Sequence, residues 1–386
     1  MEIRLSPAQL SVQDRFGQLF DEELISSIRR MGEQPRTGDG DDIAALRQMV
    51  WAALTDLGAT RLLMPDRHGG QGGGEAAGQQ GAVVLAELLG GALYSGPLLD
   101  TMTATEVLLA EELSGKDSSG KLLERIAEGG SVVLAIRESG ADTPAAPGKL
   151  ELADDELTAR RRFVNGAAEA EYLCVIGIEQ DRPACAITAR DHPTVSMRRQ
   201  QDTGRGELYD VTLDRAPVLV VAAGFAAAWP RLLAAARLRH AAYLVGMCQA
   251  ALDLAVQRAA SRRQFGQPIG RFQALAFPLA AAAARLEGAR WLVRATAWEA
   301  DQDADIRLRS AQALAMAADL SRTVTSATMQ VHGAYGSTEQ AESQLFYRKA
   351  AVERSWFGSP RALRAEVLPL LLAERRATRF PVSQPS

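Results

Sequence analysis

The chain has 386 residues, 47% apolar and 23% charged, with a net charge of −4 and a pI of about 5.8. This is an ordinary globular composition, long enough for two or three domains, and it speaks against nucleic acid or an anionic membrane surface as a partner. Three scattered cysteines, four histidines without metal-type spacing, an N-terminus (MEIRLSPAQL) without an apolar signal core and no apolar run of ~20 residues lead us to expect a cytoplasmic protein with reduced thiols, no metal and no membrane span.

The first part reads as helical. LSPAQLSVQDRFGQLF and DIAALRQMVWAALTDLG carry apolar residues at helical spacing, a Gly-rich loop PDRHGGQGGGEAAG follows, and QQGAVVLAELLGGAL resumes the pattern. From residue 130 to 222 the pattern changes to short β-branched runs (VVLAI, LTARRRFV, YLCVIG, ACAITA, TVSMRR, ELYDVTL) separated by turn residues, which predicts an antiparallel β domain. After that the chain is rich in Ala, Leu and Arg, and helices are predicted over 223–262, 271–303, 306–331 and 359–376. Pro278 is expected to kink or end its helix early. The predicted class is α+β with domains at 1–129 (helical), 130–222 (β) and 223–386 (helical bundle).

Two segments stand out chemically. In RRQFGQPIGRFQ, 262–273, a helix ends and another begins across a Gly-containing loop. Arg262 and the unpaired N–H groups of the next helix suit a diphosphate; the plainer alternative is a surface helical hairpin. In MQVHGAYGSTEQ, 329–340, Gln330 offers an amide and Gly333 allows close backbone approach; the alternative is a helix C-cap. The Gly cluster at 69–74 lacks the Lys-Ser/Thr of a P-loop and reads as a turn, and no GxSxG elbow is present.

Taken together, these two segments closely resemble the C-terminal signatures of the acyl-CoA dehydrogenase family of FAD flavoproteins. LSPAQL…DRFGQLF, LGATRLLMPDRHGGQGGG, LAELLGGALYSGPLLDT and FYRKA are similar to further family segments, so the resemblance spans nearly the whole chain. It implies a helical domain, a β-barrel-like domain and a C-terminal four-helix bundle. It also implies FAD, an acyl-CoA or acyl-carrier-protein thioester as substrate, and a homodimer, homotetramer or paired-chain assembly. In the family a neighbouring subunit holds much of each FAD's diphosphate and adenine end. The matching positions are Arg262, Gln264, Phe265, Ile269, Phe272, Gln273, Gln330 and Gly333, with Ala334 in place of a usual glycine; Ser359, after the final turn, is a further cofactor candidate.

The resemblance weakens at the flavin ring and the base. A flavin-contacting hydroxyl becomes Arg137 in RESGADT, and another becomes Val164 in RFVNG. The family's desaturation needs a carboxylate that removes the α-proton and donors on the thioester carbonyl. The two known base positions correspond to Phe357 and Ala236, and neither is acidic; the neighbouring Arg237 matches a family arginine and is the substrate-binding candidate. Glu353, one turn upstream of Phe357, is expected to be a solvated surface residue, with recruitment as the base as the alternative. Three functions remain open: a dehydrogenase-like enzyme with an unusual or missing base, a non-catalytic partner subunit of a hetero-oligomeric dehydrogenase, and flavin-dependent oxygenation or redox-neutral chemistry on the same scaffold.

Overall fold

The computed structural model describes residues 5–31, 40–70, 77–112, 119–138, 147–201, 203–204, 206–222 and 224–379. Helices α1 (Pro7–Leu19), α2 (Glu22–Met31), α3 (Gly40–Asp56), α4 (Gly78–Gly91), α5 (Leu98–Glu112) and α6 (Gly120–Ala127) come first. The start of α1 is written locally. Ser6 Oγ accepts from the Gln9 N–H at 3.3 Å, Gln9 Oε1 accepts from the Ser6 N–H at 2.9 Å, and Pro7 takes the first helical position, a reciprocal cap. Of the glycine cluster, residues 71–76 lie outside the described residues. Gly69, at φ 70°, ends a short turn over Asp66–His68.

The middle strands are β1 (Val132–Ala135), β2 (Glu151–Ala153), β3 (Glu156–Asn165), β4 (Tyr172–Glu179), β5 (Arg182–Ala189), β6 (Val195–Gln200), β7 (Leu208–Pro217) and β8 (Val220–Val221). They form two four-stranded sheets, ordered β1-β4-β5-β8 and β2-β3-β7-β6, that enclose a core including Val133, Leu157, Val175 and Val211. The sheets do not close into a barrel. The expected antiparallel pattern holds except for β1, which pairs in parallel with β4, Val132 opposite Tyr172. The excursion through β2 and β3 in the other sheet gives the chain the length that a parallel pairing needs. The other side of β1 is served by α5. Val132 exchanges two 3.0 Å bonds with Thr101 Oγ1, and Leu134 N–H donates to Asp100 Oδ2 at 3.0 Å.

The chain then forms α7 (Phe225–Ser261), a hairpin of β9 (Arg263–Gln264) and β10 (Gln267–Pro268), α8 (Gln273–Ala300), α9 (Arg307–His332), α10 (Ser343–Glu353) and α11 (Pro360–Arg379). Pro278 does not end α8. It sits in the second turn on the exposed side, where the missing N–H removes one bond and leaves the Ala274 carbonyl near solvent. Helix α7 is buried on every side from Leu232 to Cys248, as expected of a central helix. Among the described residues no helix is long and apolar enough to cross a membrane. All three cysteines are buried and unbridged.

Helices α4 and α7 approach backbone to backbone. A Cβ on Gly90 would collide with the Tyr243 carbonyl, and one on Gly246 with the Glu87 carbonyl. Two reciprocal glycines therefore set this spacing. Gly246→Val should lower stability by at least about 1–3 kcal/mol, the range for overpacking, read as a fall in the urea midpoint at unchanged slope. A second expectation concerns Asp100. Burial raises its carboxyl from 3.8 to about 7, opposed by the Leu134 N–H and reinforced by the Glu353 charge. A raised pKa means that the folded state binds the proton more tightly, so stability falls as pH rises from about 4 to about 7. Thermal melts of wild type against Asp100→Asn across this window should show the wild type losing ground as pH rises; a constant difference would refute the assignment.

Candidate active site

Helix α7 ends at Ser261, and Arg262 turns to extended backbone (φ −73°, ψ 128°). The β9–β10 hairpin then reverses over Phe265 and Gly266, with φ of 52° and 78°. Positive φ at both positions suits the twist of a two-residue hairpin, but for Phe265 it costs roughly 1 kcal/mol. The Phe265 side chain is 92% exposed and meets Phe272 edge-on at 6.1 Å. Ile269 does not face outward: it is buried, and its N–H donates to the Arg262 carbonyl at 2.9 Å, closing the loop onto the helix end. Arg262, Gln264 and Gln273 are exposed, and Phe272 is half-buried.

Gln330 and Gly333, at the end of α9, are also exposed. Gly333 has φ 63°, and the space beside its Cα is open. The Arg258 guanidinium, one turn before Arg262, lies 5.5 Å from the Tyr335 ring centroid and so joins the two segments. This face presents a forked cation, amides, an aromatic ring and a helix N-terminus without a side-chain cap, a donor set that fits the adenine and diphosphate end of a dinucleotide. Ser359 belongs elsewhere. Its Oγ accepts from the Ala362 N–H at 3.2 Å and caps α11.

The segments assigned to the flavin ring form a different kind of surface. Of RESGADT, residues 139–143 lie outside the described residues. Arg137, just past β1, pairs by backbone with Arg162 at 2.8 Å. Its guanidinium donates to the Ser355 carbonyl, and to the Trp356 carbonyl at 2.7 Å, while lying 5.3 Å from the Trp356 ring centroid. Val164 is buried. The space left among Arg137, Phe163, Trp356 and Phe357 is about 20 Å³, room for about one water.

The two positions that the resemblance assigns to a base are apolar and buried. Phe357 is 5% exposed and packs edge-on against His240 at 5.5 Å, and Ala236 is 3% exposed. Arg237 is turned inward. It makes two 2.7 Å bonds to Glu366 and donates from Nε to the Phe357 carbonyl at 3.2 Å, so its fork, the substrate-binding candidate, is occupied within the fold.

Glu353 is not the solvated surface residue that its position in a basic stretch suggested. Its side chain is 14% exposed, 2.9 Å from Lys349 Nζ and 3.6 Å from His240 Nε2. Burial works to raise its pKa, but Lys349 above all, with His240 and Arg137, outweighs that and holds the carboxyl below its ordinary range. His240 is itself pushed toward the neutral form, chiefly by burial, and its Nε2–H donates to the Glu353 carbonyl at 2.8 Å. Lys349 also donates to Ser95 Oγ at 2.7 Å, and Asn165 Nδ2 to the Ser95 carbonyl at 3.1 Å. Sequence reasoning missed Lys349 and His240. The one available signal was the i, i+4 spacing of Lys349 and Glu353 on a helix. A carboxylate pinned as an ion is a weak proton acceptor. Lys349→Met should strand a buried charge and cost about 3 kcal/mol or more, and Lys349→Met with Glu353→Met should recover most of it. Chemical denaturation of the wild type and the two variants checks this; equal costs for the single and double variants would show that a stranded Glu353 charge is not what the single substitution costs.

Residues 222–368 match the family model described as acyl-CoA dehydrogenase, C-terminal domain. A probable acyl-CoA dehydrogenase, fadE25 of Mycobacterium leprae, is 25% identical over 374 residues, covering 91% of this chain and 95% of that protein. Among solved structures, butyryl-CoA dehydrogenase from Megasphaera elsdenii has a TM-score of 0.81 at 21% identity, covering 96% of this chain and 100% of that one. The ChsE4-ChsE5 complex from Mycobacterium tuberculosis has a TM-score of 0.76 at 20% identity, covering 100% of both chains. With the fold, the exposed hairpin face and the C-terminal match in agreement, residues 222–368 belong with the acyl-CoA dehydrogenase C-terminal domain, and the whole chain is similar to proteins of that family.

Proposed function

We propose that this chain is the partner subunit of a hetero-oligomeric, FAD-dependent acyl-CoA dehydrogenase, completing the cofactor site of a neighbouring chain that carries the flavin ring and the base. The carrying observation is the contrast between the two ends of the site. The dinucleotide-reaching face is built and exposed, while the ring crevice is reduced to about 20 Å³ by Arg137, Trp356 and Phe357. Arg262, Gln264, Phe265, Phe272, Gln273, Gln330 and Gly333 would hold the adenine and diphosphate end of the neighbour's FAD, with Ile269 anchoring the hairpin. When bound, FAD supplies the hydride acceptor for desaturation of an acyl thioester. On this side of the assembly, Arg262 would meet phosphate charge and Phe265 would bury its ring, which offsets the backbone cost of its conformation. A solved complex of two differently named chains, one of which matches this fold, agrees with such pairing.

A second reading, with this chain itself as catalyst, has one observation in its favour: the ionised Glu353 lines a small cavity beside Asn165 and Trp356, one turn before Phe357. Spectra separate the two. The isolated protein should be nearly colourless and inert toward acyl-CoA. Co-expression with a dehydrogenase chain bearing a glutamate in the final turn should yield a yellow complex. Arg262→Ala and Phe265→Ala should each weaken FAD retention there by about tenfold or more. A stoichiometric yellow flavoprotein, purified alone, bleached by acyl-CoA and dead as Glu353→Gln, would overturn the proposal in favour of the second reading.

A further inference from the structure

Two thiols meet in the apolar layer between the β1-β4-β5-β8 sheet and α7, a part of the molecule that the proposed function does not use. Cys174 on β4 and Cys185 on β5 are both fully buried, and their sulfurs lie 3.3 Å apart. They are not directly opposite. Cys174 pairs with Ile187 and Cys185 with Ile176, so both point to one side of the sheet and meet across a diagonal. Cys248, within α7, is also buried but has no sulfur partner among the described residues.

Thiols this close react as a pair. Hydrogen peroxide oxidises one sulfur to a sulfenic acid and releases a water. The second thiol attacks that sulfur, the S–S bond forms, and the sulfenic oxygen leaves as a second water with the second thiol's proton. The two sulfurs lose two electrons in all, and the peroxide takes them up. Burial makes the reaction slow: the Cys174 thiol and the apolar surroundings push the Cys185 thiol up, so little thiolate is present. Access comes from the sheet edge. There β8 is two residues long and covers β5 beside two backbone bonds, Leu219 N–H to the Ile187 carbonyl at 2.8 Å and Ala222 N–H to the Cys185 carbonyl at 2.9 Å. Such short edge pairing opens at low cost.

Closure also moves the strand. The sulfurs must come from 3.3 Å to a bond of about 2.0 Å, and diagonal partners reach it when β5 shifts along β4. A disulfide made that way is easily reduced. Through Ala222 the shift reaches Gly224, the residue that starts α7. We propose that Cys174 and Cys185 are a reversible dithiol–disulfide switch that closes with hydrogen peroxide, reopens with a small thiol and, when closed, loosens the β8–α7 junction. The switch is independent of how FAD is shared.

The test uses the full-length protein. It is treated with hydrogen peroxide, quenched with catalase, alkylated with iodoacetamide in denaturant and mapped by mass spectrometry. Before oxidation all three cysteines should be alkylated. Afterwards Cys248 alone should be, and peptides joined through Cys174 and Cys185 should appear within one chain and separate with dithiothreitol. Hydrogen exchange of the Leu219 and Ala222 amides should quicken by about threefold or more in the oxidised protein, as local opening becomes easier. Cys174→Ala should show neither the joined peptides nor the faster exchange; if that variant fails to fold, the mass map and exchange of the wild type decide. Three alkylatable cysteines in oxidised, still folded protein, a joined peptide that forms only after unfolding, or unchanged exchange in the cross-linked chain would overturn the proposal.

Discussion

The structure depends on one buried helix that carries charge. Every residue of α7 from Leu232 to Cys248 is buried, and Arg237, Arg239 and His240 lie within that run. A buried cation without a partner is far more costly than the packing around it can offset, so each basic group dictates what must stand beside it. Arg239 takes Glu106 at 2.6 Å, with Thr103 and Gln79, and fastens the N-terminal helices. Arg237 takes Glu366 and the Phe357 carbonyl and sets the turn before α11. His240 meets α10 through Glu353. The glycine contacts between α4 and α7 add a distance constraint to these chemical ones.

The same anchoring fixes the turn at Phe357 without help from that residue's side chain. Its backbone is held from two directions, by Arg237 on the Phe357 carbonyl and by Arg137 on the Ser355 and Trp356 carbonyls. Neither support uses the residue 357 side chain. The ring of Phe357 packs edge-on against His240. Arg137 has a double effect: it braces the turn and closes the crevice.

Much of the fold was legible because it was written locally. The β-branched runs of the middle strands and the helical spacing of the C-terminal third both report on near neighbours in sequence. The hairpin was legible as chemistry because Arg262 and the Gly-containing loop are adjacent in the chain. What misled was context. Glu353 sits among Arg348, Lys349 and Arg354, a composition typical of a solvated face, yet α10 turns it inward against α7. The parallel pairing of β1 was hidden because the excursion through the second sheet leaves no mark on the β1 residues. Arg237 looked available to a substrate because its acceptor, Glu366, lies 129 residues away.

By itself, the sequence determined the helical–β–helical order, the family resemblance and the apolar residues at positions 236 and 357, because each rests on residue identity or short-range spacing. Only the tertiary structure decided that Arg137, Trp356 and Phe357 close around a small space, that Glu353 is a pinned ion and that the Arg237 fork is taken by Glu366. Those properties come from side chains far apart in the chain competing for the same enclosed volume, and sequence spacing carries no record of which of them wins.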